Sequence, residues 1–403
     1  MKRTRINSID VGTTKVCSIM ADADHEGNLR ILGVGIAPSK GLQKGLVVNV
    51  NEAKESIRES VKKAEQTAGY KLESAYVGVT GRHISSANNR GVISITRNDK
   101  LVRPEDLKRV LSVARSVKIP GDSKLLHIIP RTYAVDGQEG VKNPVGMHGM
   151  RLDVEAHIIT AAVTSVQNLT KCIRSVGVDI DDMVLEPLAS AEAVLTPEER
   201  QTGVLIADIG GGTTDIAVFR ENSIYHTSVL PVAGYQVTQD ISVGLGLSFD
   251  LAEEMKKKYA SVLMTDDQAD ADRTITQDGH SVSYRELSEI VRIRIEEMLR
   301  LIMLELPRTD YAKMIPSGLV ITGGGANLPG IDELAQHLLR MPVRIGHPVN
   351  LYGVSDVLSD PAYATGVGLL LWKGKNQVPG AQNFMKRESA MRSFMNRIFS
   401  IFK

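Results

Sequence analysis

The chain has 403 residues, of which 42% are apolar, and a formal charge of +1. That length exceeds one compact domain of usual size, and the charge balance excludes a broadly basic nucleic-acid binder. Two cysteines, Cys17 and Cys172, and nine scattered histidines point away from a disulfide framework or a zinc-type site and toward free thiols in a reducing compartment.

The start, Met1-Lys-Arg-Thr-Arg-Ile6, is basic, but no apolar run follows it, and no stretch of eighteen apolar residues occurs anywhere. The sequence predicts neither a signal peptide nor a spanning helix, hence a protein kept in the cytoplasm. Strands are predicted over 6–10, 16–21 and 29–38. A helix follows over 52–68, with Ile57, Val61 and Ala64 on one face and Gly69 as its stop, and then a buried strand over 75–80. The order β-β-β-α-β belongs to an α/β layer rather than a bundle or sandwich.

From residue 82 the texture changes. Residues 91–95 alternate like a strand, and 104–117 read as a helix with Leu107, Val110, Leu111 and Val113 inward. Residues 125–135 and 152–161 read as strands around a Gly/Pro/Met loop at 143–150. This marks 84–163 as an inserted α+β subdomain. A helix is predicted at 166–176 and another at 183–195, broken near its start by Pro187; 197–202 is polar and reads as a hinge. Residues 203–208 and 215–221 are then strands around Gly210-Gly211-Gly212, so the opening pattern returns about two hundred residues later. The acidic stretch 263–283 is predicted to be a loop. A long helix spans 284–306, with Leu287, Val291, Ile295, Met298 and Ile302 at helical spacing and Pro307 at its end. Residues 318–322 form a strand into a third glycine turn, 330–340 and 362–372 are helices, and 376–382 is a polar linker.

Three glycine turns carry the chemistry. The first is Asp10-Val-Gly12-Thr13-Thr14-Lys15 and the second Asp208-Ile-Gly210-Gly211-Gly212-Thr213-Thr214-Asp215. Glycine lets consecutive N–H groups approach one anion, the threonine hydroxyls add donors, and Lys15 adds a charge for a β- or γ-phosphate. Asp10 and Asp208 end buried strands, where a bare carboxylate is costly; a hydrated Mg²⁺ between them removes that cost, since magnesium keeps its waters and takes few protein ligands. One such turn alone is usually only structural. Two copies in the same setting, one per duplicated half, predict a clamp on a triphosphate, and hence ATP and Mg²⁺ as cofactors. The third turn, Gly323-Gly324-Gly325-Ala326, together with Gly234 and with Glu253 and Lys256 on one helical face, is predicted to close the adenosine side. Taken alone, Glu253 and Lys256 read equally well as a solvated ion pair.

The order of these parts resembles that of the actin, heat-shock-70 and sugar-kinase superfamily. The predicted fold class is accordingly α/β, an actin-like (ribonuclease-H-like) duplicated fold with an inserted α+β subdomain. Ser39-Lys-Gly-Leu-Gln-Lys-Gly-Leu-Val-Val48, His127-Ile-Ile-Pro-Arg-Thr-Tyr133, Lys142-Asn-Pro-Val-Gly-Met147 and Arg151-Leu152 narrow the likeness to the FtsA family of bacterial cell-division proteins. The resemblance runs from about residue 4 to 374 and resumes in the tail. It implies a first core subdomain (1–83, 164–197, 361–375), the insertion (84–163), a second core subdomain (198–247, 307–360), a smaller subdomain (248–306) and a linker (376–386). It also implies head-to-tail filaments of the chain itself, binding of the carboxy-terminal peptide of the tubulin-like protein FtsZ, recruitment of other division proteins, and slow ATP hydrolysis at most. Glu186 stands where hydrolysing relatives of the actin fold orient the attacking water. Arg285, Arg292, Arg294 and Arg300 could receive an acidic peptide, although Glu286, Glu289, Glu296 and Glu297 on the same helix favour a solvated face. The rival readings are an FtsA-like adaptor of type IV pilus assembly and, more distantly, a small-molecule kinase of the same fold.

The last segment, 387–403, has its own signal. At 100° per residue, Met391, Phe394, Met395, Ile398, Phe399, Ile401 and Phe402 share one face, with Arg392, Arg397 and Lys403 at its borders and Ser393, Asn396 and Ser400 opposite. A broad apolar face edged by basic residues predicts a helix lying in an anionic membrane surface. The expected location is the cytoplasmic face of the cell membrane at the division septum.

Overall fold

The computed structural model describes residues 4–23, 28–116, 120–263, 273–307, 311–349, 351–354 and 356–372. They fall in two units, one within Met1–Ser86, Ile119–Leu126 and Ile159–Leu371, the other within Ala87–Lys118, His127–Ile158 and Trp372–Lys403.

The larger unit contains two sheets of the same design. In the first, the strand Thr4–Val11 pairs antiparallel with Lys15–Ala23, which pairs with Leu29–Pro38. On its other side it runs parallel to Ser74–Val79, followed by Asp179–Leu185. In the second, Val204–Ile209 pairs antiparallel with Thr214–Arg220, which pairs with Ser223–Leu230; on the other side lie Leu319–Thr322 and Val343–Ile345, both parallel. The five-strand order is therefore repeated, and Leu351–Gly353 extends the outer edge of the first sheet. The register repeats too: Asp10 faces Cys17, and Asp208 faces Asp215. Strands buried on both faces read as near-continuous apolar runs, as Val204–Ile209 does, with every residue buried.

Helix Val50–Ala68 begins two residues before its predicted start because the Asn49 side-chain oxygen accepts from the N–H groups of Asn51 (3.1 Å) and Glu52 (3.3 Å). Gly69, at φ 78°, ends it. Its face of Ala53, Ile57, Val61 and Ala64 joins Ile9, Val16 and Val77 in the core of the first half. In the second half, Leu287, Val291, Ile295, Met298 and Ile302 of helix Tyr284–Leu304 are buried in one cluster with Leu205, Ile241 and Met255. Cys17 and Cys172 are buried free thiols.

Two local expectations are corrected and a third is given its local structure. Residues 183–195 are not one broken helix. The strand Asp179–Leu185 ends there and helix Glu186–Val194 starts, with Pro187 in its first turn, where a missing N–H has no intrahelical partner to lose. Residues 197–202, read as a polar hinge, take the form of a short helix that Thr196 and Glu199 cap reciprocally at 3.2 and 2.9 Å. Within 263–283, Thr274–Gln277 and His280–Ser283 form a hairpin around Asp278 and Gly279, both at positive φ. Asp-Gly at such a turn is a strong hairpin signal that the acidic composition masked.

The smaller unit contains most of a four-stranded sheet in the order Ile84–Ser94, Arg151–Ala162, Ser123–Val135, Gln138–Val141. Helix Pro104–Ala114 contributes Val110, Leu111 and Ala114 to a core with Ile93, Leu152 and Val154. Asp106, fully buried, caps that helix through the Arg103 N–H (2.9 Å) and is paired with Arg97 and Arg109.

Among the described residues no helix is long and apolar enough to cross a membrane. The linker 376–386 and the segment 387–403, with Met391, Arg392, Phe394, Met395, Arg397, Ile398, Phe399 and Phe402, lie outside the described residues.

Candidate functional site

The two strand-turn-strand units bring their glycine turns face to face. The turns are built alike: the Gly12 N–H donates to the Lys15 carbonyl at 3.0 Å, and the Gly210 N–H to the Thr213 carbonyl at 2.9 Å. A Cβ on Gly211 would lie 2.2 Å from Thr14 Cγ2, and one on Gly212 would lie 2.5 Å from Thr13 Oγ1. Side chains are therefore excluded where the second turn meets the first. Thr13 Oγ1 also accepts from the Gly45 N–H at 3.2 Å, and the Lys15 ammonium lies 4.6 Å from the Tyr363 ring centroid.

Not all four hydroxyls point to the same task. Thr214 donates to the Val232 carbonyl at 2.7 Å, so its side chain holds the turn. The Thr213 hydroxyl serves Asp215. Thr13 and Thr14 are the hydroxyls set against the opposite loop.

Four acidic groups are buried behind the turns. Burial pushes Asp10 up to about 6, with Lys15 pulling it down and Asp208 adding to the rise. Burial pushes Asp215 up to about 7 against the hydrogen bond from Thr80. Asp208 is raised by burial as well, although it accepts from the hydroxyls of Ser190 and of Thr365, the latter at 2.9 Å. Thus the cost of burying Asp208 is met in part by two neighbouring helices, an arrangement the sequence did not reveal. Glu186, 8% exposed, is raised well above the carboxylate range by burial and then by Asp10, Asp215 and Asp208. A set of carboxyls that mutual repulsion and burial hold partly protonated is one that a divalent cation would relieve. Among the described residues no three His, Cys, Asp or Glu side chains form a direct ligand group. A magnesium ion that keeps its own waters would need few direct protein ligands, and Asp10 and Asp208 are the carboxylates that would hold it.

The third turn abuts the second. Gly323 has φ 83°, and a Cβ there would meet Asp208 Oδ1 at 2.2 Å. Gly324, Gly325 and Ala326 wind into the 3-10 turn Gly324–Asn327, and helix Ile331–Leu339 begins only after Gly330. On the other flank, the N–H groups of Gly234 and Tyr235 donate to the carbonyls of Gly210 (3.1 Å) and Gly211 (2.7 Å). Lys256 Nζ lies 2.6 Å from Glu253 and donates to the Gly234 carbonyl (3.1 Å) and to Thr238 (2.8 Å). Gly234, Glu253 and Lys256 are therefore one half-buried cluster beside the second turn, not a solvated pair.

On the long helix the arginines are engaged locally. Arg292 pairs with Glu296 (3.0 Å), Arg300 with Glu296 (3.2 Å), and Arg294 with Glu297 (2.5 Å) and Asp240. Arg285 is exposed. Sequence reasoning passed over Thr80, Ser190, Thr365 and Thr238, which sit in segments without a motif. It also left Asp215 unassigned, although its position seven residues after Asp208 repeats that of Cys17 after Asp10.

Two family descriptions match the chain: "Cell division protein FtsA" over residues 205–368 and "SHS2 domain inserted in FTSA" over residues 81–160. The chain is 43% identical over 381 residues to the cell division protein FtsA of Pseudomonas aeruginosa, covering 93% of this chain and 90% of that one. It is 39% identical over 374 residues to that of Neisseria meningitidis serogroup B, covering 91% and 89%. Among solved structures it resembles a PilM-PilN type IV pilus biogenesis complex (TM-score 0.63, 15% identity, 92% of this chain and 99% of that chain). It also resembles MreB5 of Spiroplasma citri bound to ADP (TM-score 0.55, 15% identity, 92% and 96%). These structural likenesses establish the actin-like fold.

Proposed function

Since the chain belongs to the FtsA family of cell-division proteins, we propose that it is an ATP-binding, actin-like protein that polymerises on the cytoplasmic face of the cell membrane and tethers the FtsZ ring there. The observation that carries the nucleotide reading is the pair of equivalent turns, Gly12–Lys15 and Gly210–Thr213 in their hydrogen bonds, set face to face with Asp10 and Asp208 behind them. ATP would lie with its phosphates at Gly12, Thr13, Thr14, Lys15, Gly210, Gly211, Gly212, Thr213 and the backbone of Thr214. Its adenosine would lie toward Gly234, Glu253, Lys256 and the Gly323-Gly324-Gly325-Ala326 turn. Mg²⁺ held by Asp10 and Asp208 would supply the positive charge that a triphosphate and two carboxylates need in a buried cleft. Glu186 would orient water for slow hydrolysis, a role that needs position more than basicity.

The amphipathic segment 387–403 is the proposed anchor, with Met391, Phe394, Met395, Ile398, Phe399 and Phe402 entering the interface and Arg392 and Arg397 meeting anionic lipid. The remaining partners are other copies of the chain, the carboxy-terminal peptide of FtsZ and later division proteins at the septum. The subdomain boundaries given from the sequence are proposed with this assignment, and 84–163 is the proposed contact with a neighbouring protomer.

Electron microscopy on lipid monolayers containing phosphatidylglycerol tests the whole reading. Filaments should appear on the lipid with ATP and fail to appear without it. Filaments that form equally without nucleotide, or only away from lipid, would overturn it.

A further inference from the structure

A small cavity lies beside Glu186, on the side of the first sheet. Its polar walls are Glu186, His83, Thr80 and Ser165, and its apolar walls include Leu46, Val166 and Leu169. Both ring nitrogens of His83 are shielded from solvent and have no hydrogen-bond partner. The ring lies close over Gly81, whose Cβ would meet Nδ1 at 2.9 Å. His83 as a whole is half-buried, but two shielded ring nitrogens that pair with nothing are costly, so the polar end of this cavity calls for an occupant.

The space and the chemistry select that occupant. The cavity leaves ≈ 20 Å³ for the centres of water-sized molecules, above the about 10–15 Å³ that one water needs. No Lys or Arg side chain lines it, so an anion would find no counter-charge. Burial lowers the His83 pKa and keeps the ring neutral, with one N–H donor and one acceptor nitrogen. Glu186 offers a buried carboxyl whose space is kept by Gly78, where a Cβ would lie 3.2 Å from Oε1. Donor and acceptor capacity on two sides of a water-sized space is what a bound water requires.

We propose that this cavity is a water site in which an ordered water joins a ring nitrogen of His83 to the carboxyl of Glu186, making His83 a positioning residue for Glu186. The inference rests on the reading that Glu186 faces the bound nucleotide. Asp10, Asp215 and Asp208 repel the carboxyl from the other side, and the water fixes which way it turns. Without it, Glu186 is free to rotate toward Asp10 or Asp215.

The test uses the full chain without nucleotide. A high-resolution crystal structure should contain a water within hydrogen-bond distance of both His83 and Glu186. In solution, His83→Leu should shift the ¹³C carboxyl resonance of Glu186, and His83→Gln, which still donates and accepts, should restore it toward the parent's position. A dry cavity in the parent, or a Glu186 resonance that His83→Leu leaves in place, overturns the proposal. The water is sought in the parent itself, so the answer does not depend on the variants folding. Calorimetric titration of the parent with ATP, run alongside, separates failure of the nucleotide reading from failure of this one.

Discussion

The hydroxyl of Thr80 donates a hydrogen bond to Oδ1 of Asp215. Thr80 directly follows the strand Ser74–Val79 of the first sheet, and Asp215 lies in the strand Thr214–Arg220 of the second. Both are buried. The two duplicated halves are thus linked by a buried hydrogen bond near the place where Thr13 and Thr14 meet Gly212 and Gly211.

Thr80→Val keeps the shape of the side chain and removes the donor. The Asp215 carboxyl then loses a buried partner, which costs about 1–3 kcal/mol, and thermal unfolding should move down accordingly. Thr80→Ser should stay near the parent. Equal melting temperatures for Thr80→Val and the parent would show that the contact contributes nothing.

Asp215 also sets a pH dependence. Burial above all raises its pKa from an ordinary 3.8 to about 7 in the fold. Between those values the folded state holds a proton that the unfolded chain has released. Its contribution to stability is fully present below about 4 and is lost as pH rises to about 7. Asp215→Asn should flatten that loss in the nucleotide-free protein by at most about 1.4 kcal/mol per pH unit. Denaturant titrations at a series of pH values decide this; parallel curves for the two proteins would contradict it.

The proposed anchor predicts separable defects. Phe399→Asp places a charge in the apolar face and should release the protein from anionic vesicles while ATP binding stays intact. Arg392→Glu combined with Arg397→Glu should weaken binding to anionic vesicles far more than to neutral ones, since each basic residue near such a surface adds roughly 1 kcal/mol. On the proposed reading one tail should bind reversibly and many tails on a filament should act together. Co-sedimentation of Phe399→Asp with lipid at the parent's level would remove the tail from the account.

How far the sequence speaks depends on the distance over which a contact acts. The glycine turns and their duplication are local patterns, and the fold repeats them strand for strand and in register. The pair Glu253 and Lys256 is local too, but its place beside the second turn depends on Gly234, 22 residues away from Lys256. Thr80 and Asp215 are 135 residues apart, and Thr365 and Asp208 are 157 apart. Such partners are ordinary hydroxyls in segments with no motif, so only the folded chain brings them to notice. Pro187 misled for the opposite reason: proline ends helices from within but also opens them in the first turn, and the preceding strand decides between the two.

The account stands on nucleotide held between the two facing turns, and calorimetric titration with ATP in the presence of Mg²⁺ tests that most directly. The parent should bind. Gly212→Val, whose first side-chain carbon would already meet Thr13 at 2.5 Å, should lose binding, and so should Asp208→Ala, which removes one of the two carboxylates assigned to magnesium. Tight ATP binding by both folded variants, or none by the parent, would contradict the account.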